Sequence, residues 1–236
     1  QGLPVRLCLD RAGLVGGDGA VHHGFCDVSI LRVLPDAALV AAMDEPSLHA
    51  AMEFMRTYDT GLSAVRYPRD NVDDRFADQP CPAFELGRAR GLRVHDAPDV
   101  AILGFGVMAL TAMDAVDRLG EEAIVNVYDA RFAKPVDREL IRDLLERQIP
   151  IITIEDHGIH GGFGAAVIEA ASEMKLDAGL VHRMALPDSW IYQGSRSGQL
   201  EEAGLDVDSV VEAIRAQLQA QGQAKTPLVE TVASRH

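Results

Sequence analysis

The stretch DRAGLVGGDGAVHHGFCD, residues 10–27, predicts a functional loop at the end of a β-strand. The residues just before it, 5–9, alternate Val, Leu and Leu with Arg and Cys, which is typical of a short buried strand. Glycines in the stretch allow close backbone approach to a ligand, while Arg11, Asp18 and His22 supply charge and proton-transfer capacity. Ligands bind at the carboxyl ends of strands in parallel sheets. We therefore predict an active-site loop here.

The composition is that of a globular protein with buried cores. The 236 residues are 47% hydrophobic, which allows one or two domains. No apolar run approaches the roughly 20 residues of a membrane span, and no signal-peptide pattern opens the chain. A net charge of −14 disfavours nucleic acid as a partner, because phosphates demand a positive surface. We expect a cytoplasmic protein without membrane or nucleic-acid partners, and, since Gln1 stands almost directly before a strand, a fragment of a longer chain.

Strand and helix patterns alternate after the loop. Residues 28–34 are predicted as a short helix and residues 38–43 as a buried strand. Asp44 is a good N-cap for the amphipathic helix that follows. Residues 62–67 form a strand that delivers Arg69 at its carboxyl end, which is where ligands are expected.

A composition change over residues 70–98, rich in proline and acidic residues, marks a domain boundary. Beyond it the alternation restarts, so we predict an α/β fold with a mostly parallel sheet flanked by helices in each of two domains. The predicted strands of the second domain are 100–103, 123–128, 151–154 and 181–185, and its helices are 107–119, 138–147, 163–174 and 207–218.

Three segments together carry a resemblance to a known family. The loop at 10–27, Arg66-Tyr-Pro-Arg69 and Tyr128-Asp-Ala-Arg-Phe-Ala-Lys-Pro135 closely resemble the 1-deoxy-D-xylulose-5-phosphate synthases, of the thiamine-diphosphate-dependent transketolase superfamily. The similarity runs from about residue 3 to about residue 215, in the family's order. It implies four regions: residues 1–71 as the second half of the transketolase pyrimidine-binding domain, 72–98 as an interdomain linker, 99–218 as the transketolase C-terminal domain, and 219–236 as a polar tail.

The resemblance also implies an activity. Such enzymes are transferases in which pyruvate adds to thiamine diphosphate and loses CO2, and the resulting enamine attacks glyceraldehyde 3-phosphate. The product feeds isoprenoid (terpenoid), thiamine and pyridoxal synthesis. Thiamine diphosphate and magnesium would be held mainly by a region upstream of Gln1, in a homodimer. We therefore expect this chain to be inactive without that N-terminal part.

Asp18 and His22 are the predicted catalytic residues. Their spacing alone is consistent with either a functional pair or a hydrogen bond that stabilises the loop. The resemblance implies that His22 binds the pyruvate-derived carboxylate or hydroxyl and assists proton transfer, while Asp18 positions His22 or the aminopyrimidine region. His23 has no match in the family and is expected to support the site or to lie on the surface.

Arg11 and Arg69 are the predicted substrate-binding residues. Each follows a predicted strand at the same sheet edge, which suits a guanidinium grip on phosphate, although two surface ion pairs would give the same pattern. The resemblance implies that both hold the phosphate of glyceraldehyde 3-phosphate, and Arg66 is expected to be structural. The family usually has glycine after the second arginine, whereas this chain has Asp70, a carboxylate that we expect to weaken phosphate binding.

Other motifs are weaker. Gly17-Asp18-Gly19 resembles the start of the metal and diphosphate motif of thiamine enzymes, but residues 42–45 lack its asparagine pair, so no metal ligand or confident cofactor-binding residue is predicted in this chain. Residues 104–106 and 161–164 are predicted as tight glycine turns rather than phosphate loops. Residues 155–160 follow a strand instead of lying on a helix, which disfavours a metal site.

Two alternatives remain. Another transketolase-type enzyme, such as transketolase or the E1 β subunit of a 2-oxo acid dehydrogenase, would share the domains but not the paired arginines. A noncatalytic dimerisation module would share the fold alone. The enzymatic reading predicts that Arg11, Arg69 and His22 converge on one pocket at a rim of the first sheet.

Overall fold

Two mostly parallel β-sheets organise the molecule, and the computed structural model describes residues 2–224. Its strands are β1 (Arg6–Leu9), β2 (Ala38–Ala41), β3 (Ser63–Arg66), β4 (Arg90–Arg93), β5 (Val100–Gly104), β6 (Val125–Asp129), β7 (Phe132–Lys134), β8 (Ile151–Gly158) and β9 (Val181–Leu186). The first sheet has the order β1-β3-β2-β7 and the second β4-β6-β5-β8-β9. Among the strand pairs formed by residues 2–224, only β2·β7 and β4·β6 are antiparallel. The predicted α/β class is confirmed.

The helices pack on these sheets and follow the predicted alternation. They are α1 (Asp27–Leu31), α2 (Glu45–Thr57), α3 (Met108–Leu119), α4 (Arg138–Glu146), α5 (Phe163–Glu173), α6 (Arg196–Glu202) and α7 (Val207–Ala224). Asp44 caps α2 as predicted: its carboxylate accepts from the Ser47 amide at 2.8 Å, and the Ser47 hydroxyl accepts from the Asp44 amide at 3.0 Å. This reciprocal capping box fixes where the helix begins. None of the helices within residues 2–224 has the length and apolar character to cross a bilayer.

Two short elements, β7 and α6, were not predicted. β7 leaves the second sheet and pairs antiparallel with β2, placing Lys134 opposite Leu39. The first sheet therefore contains a strand from the part of the chain assigned to the C-terminal domain. Three strand residues are too few to show a period, which is why the pattern was not visible.

The predicted ends of β8 and α7 differ most from the structure. β8 does not end at Ile154 but continues to Gly158. The charged residues there were interpreted as leaving the sheet, yet they are buried and paired, as described below. α7 continues past the predicted end at Leu218, and residues 225–236 of the predicted tail lie outside the described residues.

The hydrophobic core is continuous between the sheets. One cluster of buried side chains includes Leu39 and Ala64 from the first sheet together with Leu103 from the second. Every residue of β5 is buried, as expected for a central parallel strand covered on both faces. Phe105, just after β5, stacks on Phe163 with ring centroids 5.2 Å apart. This shared core brings the carboxyl ends of β3 and β8 together, and the candidate site lies beside that junction.

Candidate functional site

The predicted site loop and the segment carrying Arg69 leave the first sheet side by side. β1 and β3 are parallel neighbours with Leu9 opposite Arg66. Beyond the strands, the Ala12 amide donates to the Tyr67 carbonyl at 3.0 Å. The two segments therefore start from the same carboxyl edge, as the sequence predicted.

Glycines close the loop at its base. Gly13 and Gly24 exchange two backbone hydrogen bonds of 2.9 Å each. Gly13 has a φ of 69°, and a Cβ at this position would fall 2.1 Å from the Asp156 carboxylate oxygen Oδ2. A Cβ on Gly24 would fall 2.5 Å from the Arg11 carbonyl oxygen. Close packing and a left-handed backbone both require glycine here, so the loop has a defined shape at its base.

The side chains of Arg11 and Arg69 meet at Asp18. Nη1 of Arg69 lies 2.8 Å from Oδ1 of Asp18, and Nε of Arg11 lies 3.4 Å from Oδ2. Arg11 also contacts the carboxylate of Asp10 at 3.1 Å. The side chain of Asp18 is 28% exposed and that of Arg69 55%. Exposed ion pairs are worth about 1 kcal/mol or less, so a competing anion has little to displace.

His22 is oriented by the main chain of Asp18 rather than by its carboxylate. Nδ1 of His22 lies 3.0 Å from the Asp18 carbonyl oxygen. Because a carbonyl only accepts, Nδ1 carries the proton and Nε2 of the neutral ring is left as an acceptor. The expected carboxylate–imidazole contact is thus replaced by a backbone contact, while the carboxylate faces the two arginines.

His23 has a supporting role. Its Nδ1 accepts from the Val15 amide at 3.2 Å, and its Nε2 donates to the Ile191 carbonyl at 3.1 Å. The ring therefore ties the loop to the segment after β9. This agrees with the expectation that His23 supports the site or lies on the surface.

The predicted residues gather around Asp18 on an exposed edge, not in the expected pocket. Two cavities of about 340 and 330 Å³ flank this edge. His23 lines the first and Asp70 the second, whereas Arg11, Arg69 and His22 line neither. The three side chains therefore share Asp18 as a common neighbour but line neither of these two cavities.

Arg66 is buried beneath the loop, consistent with the structural role expected for it. Its Nη1 lies 2.8 Å from Asp156 and its Nε 2.9 Å from Asp27, and Nη2 donates to the Gly24 carbonyl at 3.2 Å. Burial lowers the pKa of Arg66, but the Asp156 and Asp27 carboxylates outweigh burial and hold this pKa above its ordinary value. The charge of Arg66 therefore locks β3, β8 and the base of the loop together.

Helix α6 fixes the middle of the loop, and sequence reasoning missed it. The amide of Gly16 donates to Oε1 of Gln199 at 2.9 Å, and Nε2 of Gln199 donates back to the Gly16 carbonyl at 3.2 Å. Arg196 donates from Nε to the Leu14 carbonyl at 3.1 Å. In the sequence, Ser195 was the residue that could have indicated the start of this helix, because serine is a preferred N-cap. Its hydroxyl accepts a hydrogen bond from the Gly198 amide at 3.1 Å.

Asp70, the departure from the family pattern, is engaged by Arg196. Its Oδ2 lies 3.1 Å from Nη1 of Arg196. The carboxylate that was expected to weaken phosphate binding is therefore paired with a guanidinium from α6.

The carboxylate of Glu155 in β8 is hydrogen-bonded to backbone amides of this chain. Glu155 accepts from the amides of Phe163 and Gly164 at 2.6 and 2.7 Å. Burial raises the pKa of Glu155 to about 7. The carboxylate of Glu155 therefore binds the backbone amides at the start of α5 to which a cofactor phosphate would otherwise bind. The glycines at 161–164 form a tight turn there, as predicted. A Cβ on Gly162 would lie 2.4 Å from Oε2 of Glu155.

The described residues do not fit the diphosphate and magnesium of a thiamine cofactor. No group of three His, Cys, Asp or Glu within residues 2–224 is arranged to hold a metal ion. His157, beside Glu155, is engaged as well: its Nε2 lies 3.3 Å from the Ser29 hydroxyl, and burial lowers its pKa.

Comparisons with known proteins agree with this fold. The family model for the transketolase pyrimidine binding domain matches residues 1–74, and that for the transketolase C-terminal domain matches residues 89–210. A 1-deoxy-D-xylulose-5-phosphate synthase of Bacillus cereus (strain B4264) is 40% identical over 219 residues, which are 92% of this chain and 34% of that protein. One of Bacillus anthracis (strain A0248) is 39% identical with the same coverage. The chain thus spans about a third of the length of these relatives.

Solved structures give the same result. A split gene transketolase, described as an inactive beta4 tetramer, superposes with a TM-score of 0.74 at 29% identity, covering 91% of this chain and 66% of that one. Transketolase from Leishmania mexicana gives a TM-score of 0.66 at 14% identity, covering 94% of this chain and 32% of that one. The second likeness is one of fold alone.

Proposed function

This chain belongs to the transketolase family, and on that premise we propose that it is part of a 1-deoxy-D-xylulose-5-phosphate synthase. Such an enzyme condenses pyruvate with glyceraldehyde 3-phosphate with loss of CO2. Relatives about 40% identical carry this name, and they are about three times as long as the matched part of this chain. The complete reaction therefore requires residues that these relatives have and this chain does not span.

The convergence of two guanidinium groups on one carboxylate supports the proposal most directly. Arg11 and Arg69 come from different segments, yet both contact Asp18. A pair of guanidiniums that holds one anion can hold another of similar size, and phosphate offers more acceptors and more charge than a carboxylate. Arg11 and Arg69 bind the phosphate of glyceraldehyde 3-phosphate, which exchanges with Asp18.

His22 serves the donor side. Its proton on Nδ1 is held by the Asp18 carbonyl, so Nε2 is the ring atom that can accept a hydrogen bond or a proton from a hydroxyl. Asp18 thus supports both halves of the site, with its main chain on His22 and its carboxylate on the arginines.

Thiamine diphosphate supplies the carbanion chemistry in enzymes of this type, and this chain orients substrates and balances charge. We assign the diphosphate and Mg2+ to the part of the relatives that this chain does not span. The assembly is a cytoplasmic homodimer, and its product feeds isoprenoid, thiamine and pyridoxal synthesis. The 236-residue chain alone has no turnover.

Phosphate binding by the chain is the first test. Titration calorimetry with glyceraldehyde 3-phosphate should show binding that Arg69→Gln weakens about fivefold, because an ionic contact made by an exposed arginine is worth about 1 kcal/mol. Arg56→Gln is the matched control, because Arg56 is an exposed arginine on α2 paired with Glu53. Equal effects of the two substitutions would remove the phosphate site from the proposal.

Turnover in a completed enzyme is the second test. The region of the Bacillus cereus relative that precedes the matched part is joined to this chain, and CO2 release from pyruvate is measured with glyceraldehyde 3-phosphate or glyceraldehyde as acceptor. We expect release that depends on the phosphorylated acceptor. Equal use of both acceptors would favour another transketolase-type enzyme. No turnover by the joined protein, with its fold intact, would favour a noncatalytic dimerisation module.

A further inference from the structure

We propose that Arg196 is a positioning residue that, through Asp70, fixes the backbone beside Arg69 and so sets the spacing of the two arginines in the anion site. This role rests on the proposed function. Arg196 lies at the start of α6 in the second domain, and only 16% of its side chain is exposed. It is not one of the residues that the resemblance assigns to the site.

The guanidinium of Arg196 contacts three separate segments. Nε donates to the Leu14 carbonyl at 3.1 Å in the site loop. Nη1 lies 3.1 Å from Oδ2 of Asp70, after β3. Nη2 lies 3.2 Å from Oδ2 of Asp156, in β8. Because the guanidinium is planar and its donors have fixed directions, these contacts define the separation of the three segments.

One of the three contacts is rigidly anchored. Asp156 is 3% exposed, and its other oxygen lies 2.8 Å from Nη1 of the buried Arg66. Arg66 in turn donates to the Gly24 carbonyl at 3.2 Å, at the far end of the loop. Asp156 therefore joins two guanidiniums, each of which holds a carbonyl of the site loop. Arg196 acts from a fixed base.

The second contact reaches the residue next to Arg69. The side chain of Asp70 is 44% exposed and points to Arg196, while Arg69 contacts Asp18 in the loop. The segment after β3 is thus held on one side by its own arginine and on the other by an arginine of the second domain. Without the Asp70 contact, Arg69 would keep its exposed pair with Asp18, and its segment would keep the backbone hydrogen bond between Ala12 and Tyr67.

The substitution Asp70→Asn distinguishes two explanations, because they predict opposite changes in the affinity for inorganic phosphate. If Asp70 acted only by repelling phosphate, removing its charge would tighten the binding of inorganic phosphate to the 236-residue chain. If Asp70 is the tether, the substitution weakens binding about twofold to threefold, because a partly exposed ion pair is worth about 1 kcal/mol or less. Asp73→Asn is the control, because Asp73 lies in the same segment but pairs with Arg75 at 2.7 Å. It should leave binding unchanged or slightly tighter.

Arg196→Lys separates position from charge. Lysine keeps the positive charge but cannot reach three acceptors in a fixed plane. We expect this variant to bind inorganic phosphate as weakly as Arg196→Gln, and amide hydrogen exchange at residues 67–72 to accelerate in both variants while that of α2 stays unchanged. Native phosphate affinity in Arg196→Lys would overturn the positioning role, as would unchanged exchange at residues 67–72.

Different results would reject the anion site and the positioning role of Arg196. Absence of phosphate binding by the native chain, or native-like binding by Arg69→Gln, would reject the proposed anion site and the positioning role with it. Normal phosphate binding that depends on Arg69 but is unaffected or tightened by Asp70→Asn would reject the positioning role alone.

Discussion

Replacing Arg66 by methionine should remove the charge that locks the two sheets beneath the site loop. Arg66 is 4% exposed and lies 2.8 Å from Asp156 and 2.9 Å from Asp27. Methionine fills a similar volume without charge. The substitution leaves Asp27 without a guanidinium and leaves Asp156 with Arg196 alone, at 3.2 Å.

The expected loss follows from burial. Breaking a buried ion pair by removing one partner costs about 3 to 5 kcal/mol, because the remaining charge stays desolvated. For a chain of this size, about 2 to 4 °C of melting temperature corresponds to each kcal/mol, so we expect a decrease of about 6 to 20 °C. Arg56→Met, on an exposed pair with side chains 68% and 64% exposed, should leave the melting temperature nearly unchanged, because solvent screens that pair.

The assay is urea denaturation at pH 7, extended to a double-mutant cycle with Asp27→Asn. In the native background Asp27→Asn loses a charged hydrogen bond, at a cost of about 1.5 to 3 kcal/mol. In the Arg66→Met background it removes a largely buried charge that has already lost its guanidinium partner, so it should cost little or stabilise. Additive losses in the cycle, or a loss for Arg66→Met no larger than that for Arg56→Met, would refute the buried lock.

Three further predictions concern Asp18 and Gly13 in the site loop and the buried carboxylate of Asp129 in β6. Asp18→Asn should tighten the binding of inorganic phosphate up to about fivefold, because the exposed Asp18 carboxylate no longer competes for the arginines. Calorimetry should show a larger effect for Asp18→Asn than for Asp10→Asn. Equal effects of the two substitutions would contradict competition at Asp18. Burial raises the pKa of Asp129 from 3.8 to about 7, so its contribution to stability is present below pH 3.8 and is lost as the pH rises through about 7. Asp129→Asn should therefore flatten the decline in the free energy of unfolding between about pH 4 and 7 by up to about 1.4 kcal/mol per pH unit, and an unchanged slope in urea denaturation would contradict this. Gly13→Ala should destabilise by about 3 kcal/mol or more, because its Cβ would lie 2.1 Å from a carboxylate oxygen at a φ of 69°, whereas Gly17→Ala, with nothing within 4 Å, should be nearly neutral in melting temperature.

Local pattern was enough to predict most of the secondary structure. Buried strands such as β5 and capped amphipathic helices such as α2 show their character within a few consecutive residues, through side-chain periodicity and the Asp44 cap. The order of these elements along the chain also predicted parallel pairing. For that reason the common edge from which Arg11 and Arg69 emerge was foreseen.

Only the tertiary structure decided which groups meet at that edge. Asp18 turns its carboxylate to Arg69 and offers His22 only a carbonyl, because β1 and β3 are neighbours in space and not in sequence. Arg196 reaches the loop from α6, a helix too short to carry a periodic signal.

The amino-acid sequence by itself determined the α/β alternation, the strand-end loop and the residue types it carries, because these depend on interactions between near neighbours in the chain. The partner of each charge was decided by folding. A buried residue such as Asp156 has a defined role only once Arg66 and Arg196 are brought to it from distant segments, and their attraction is strong there because water is excluded.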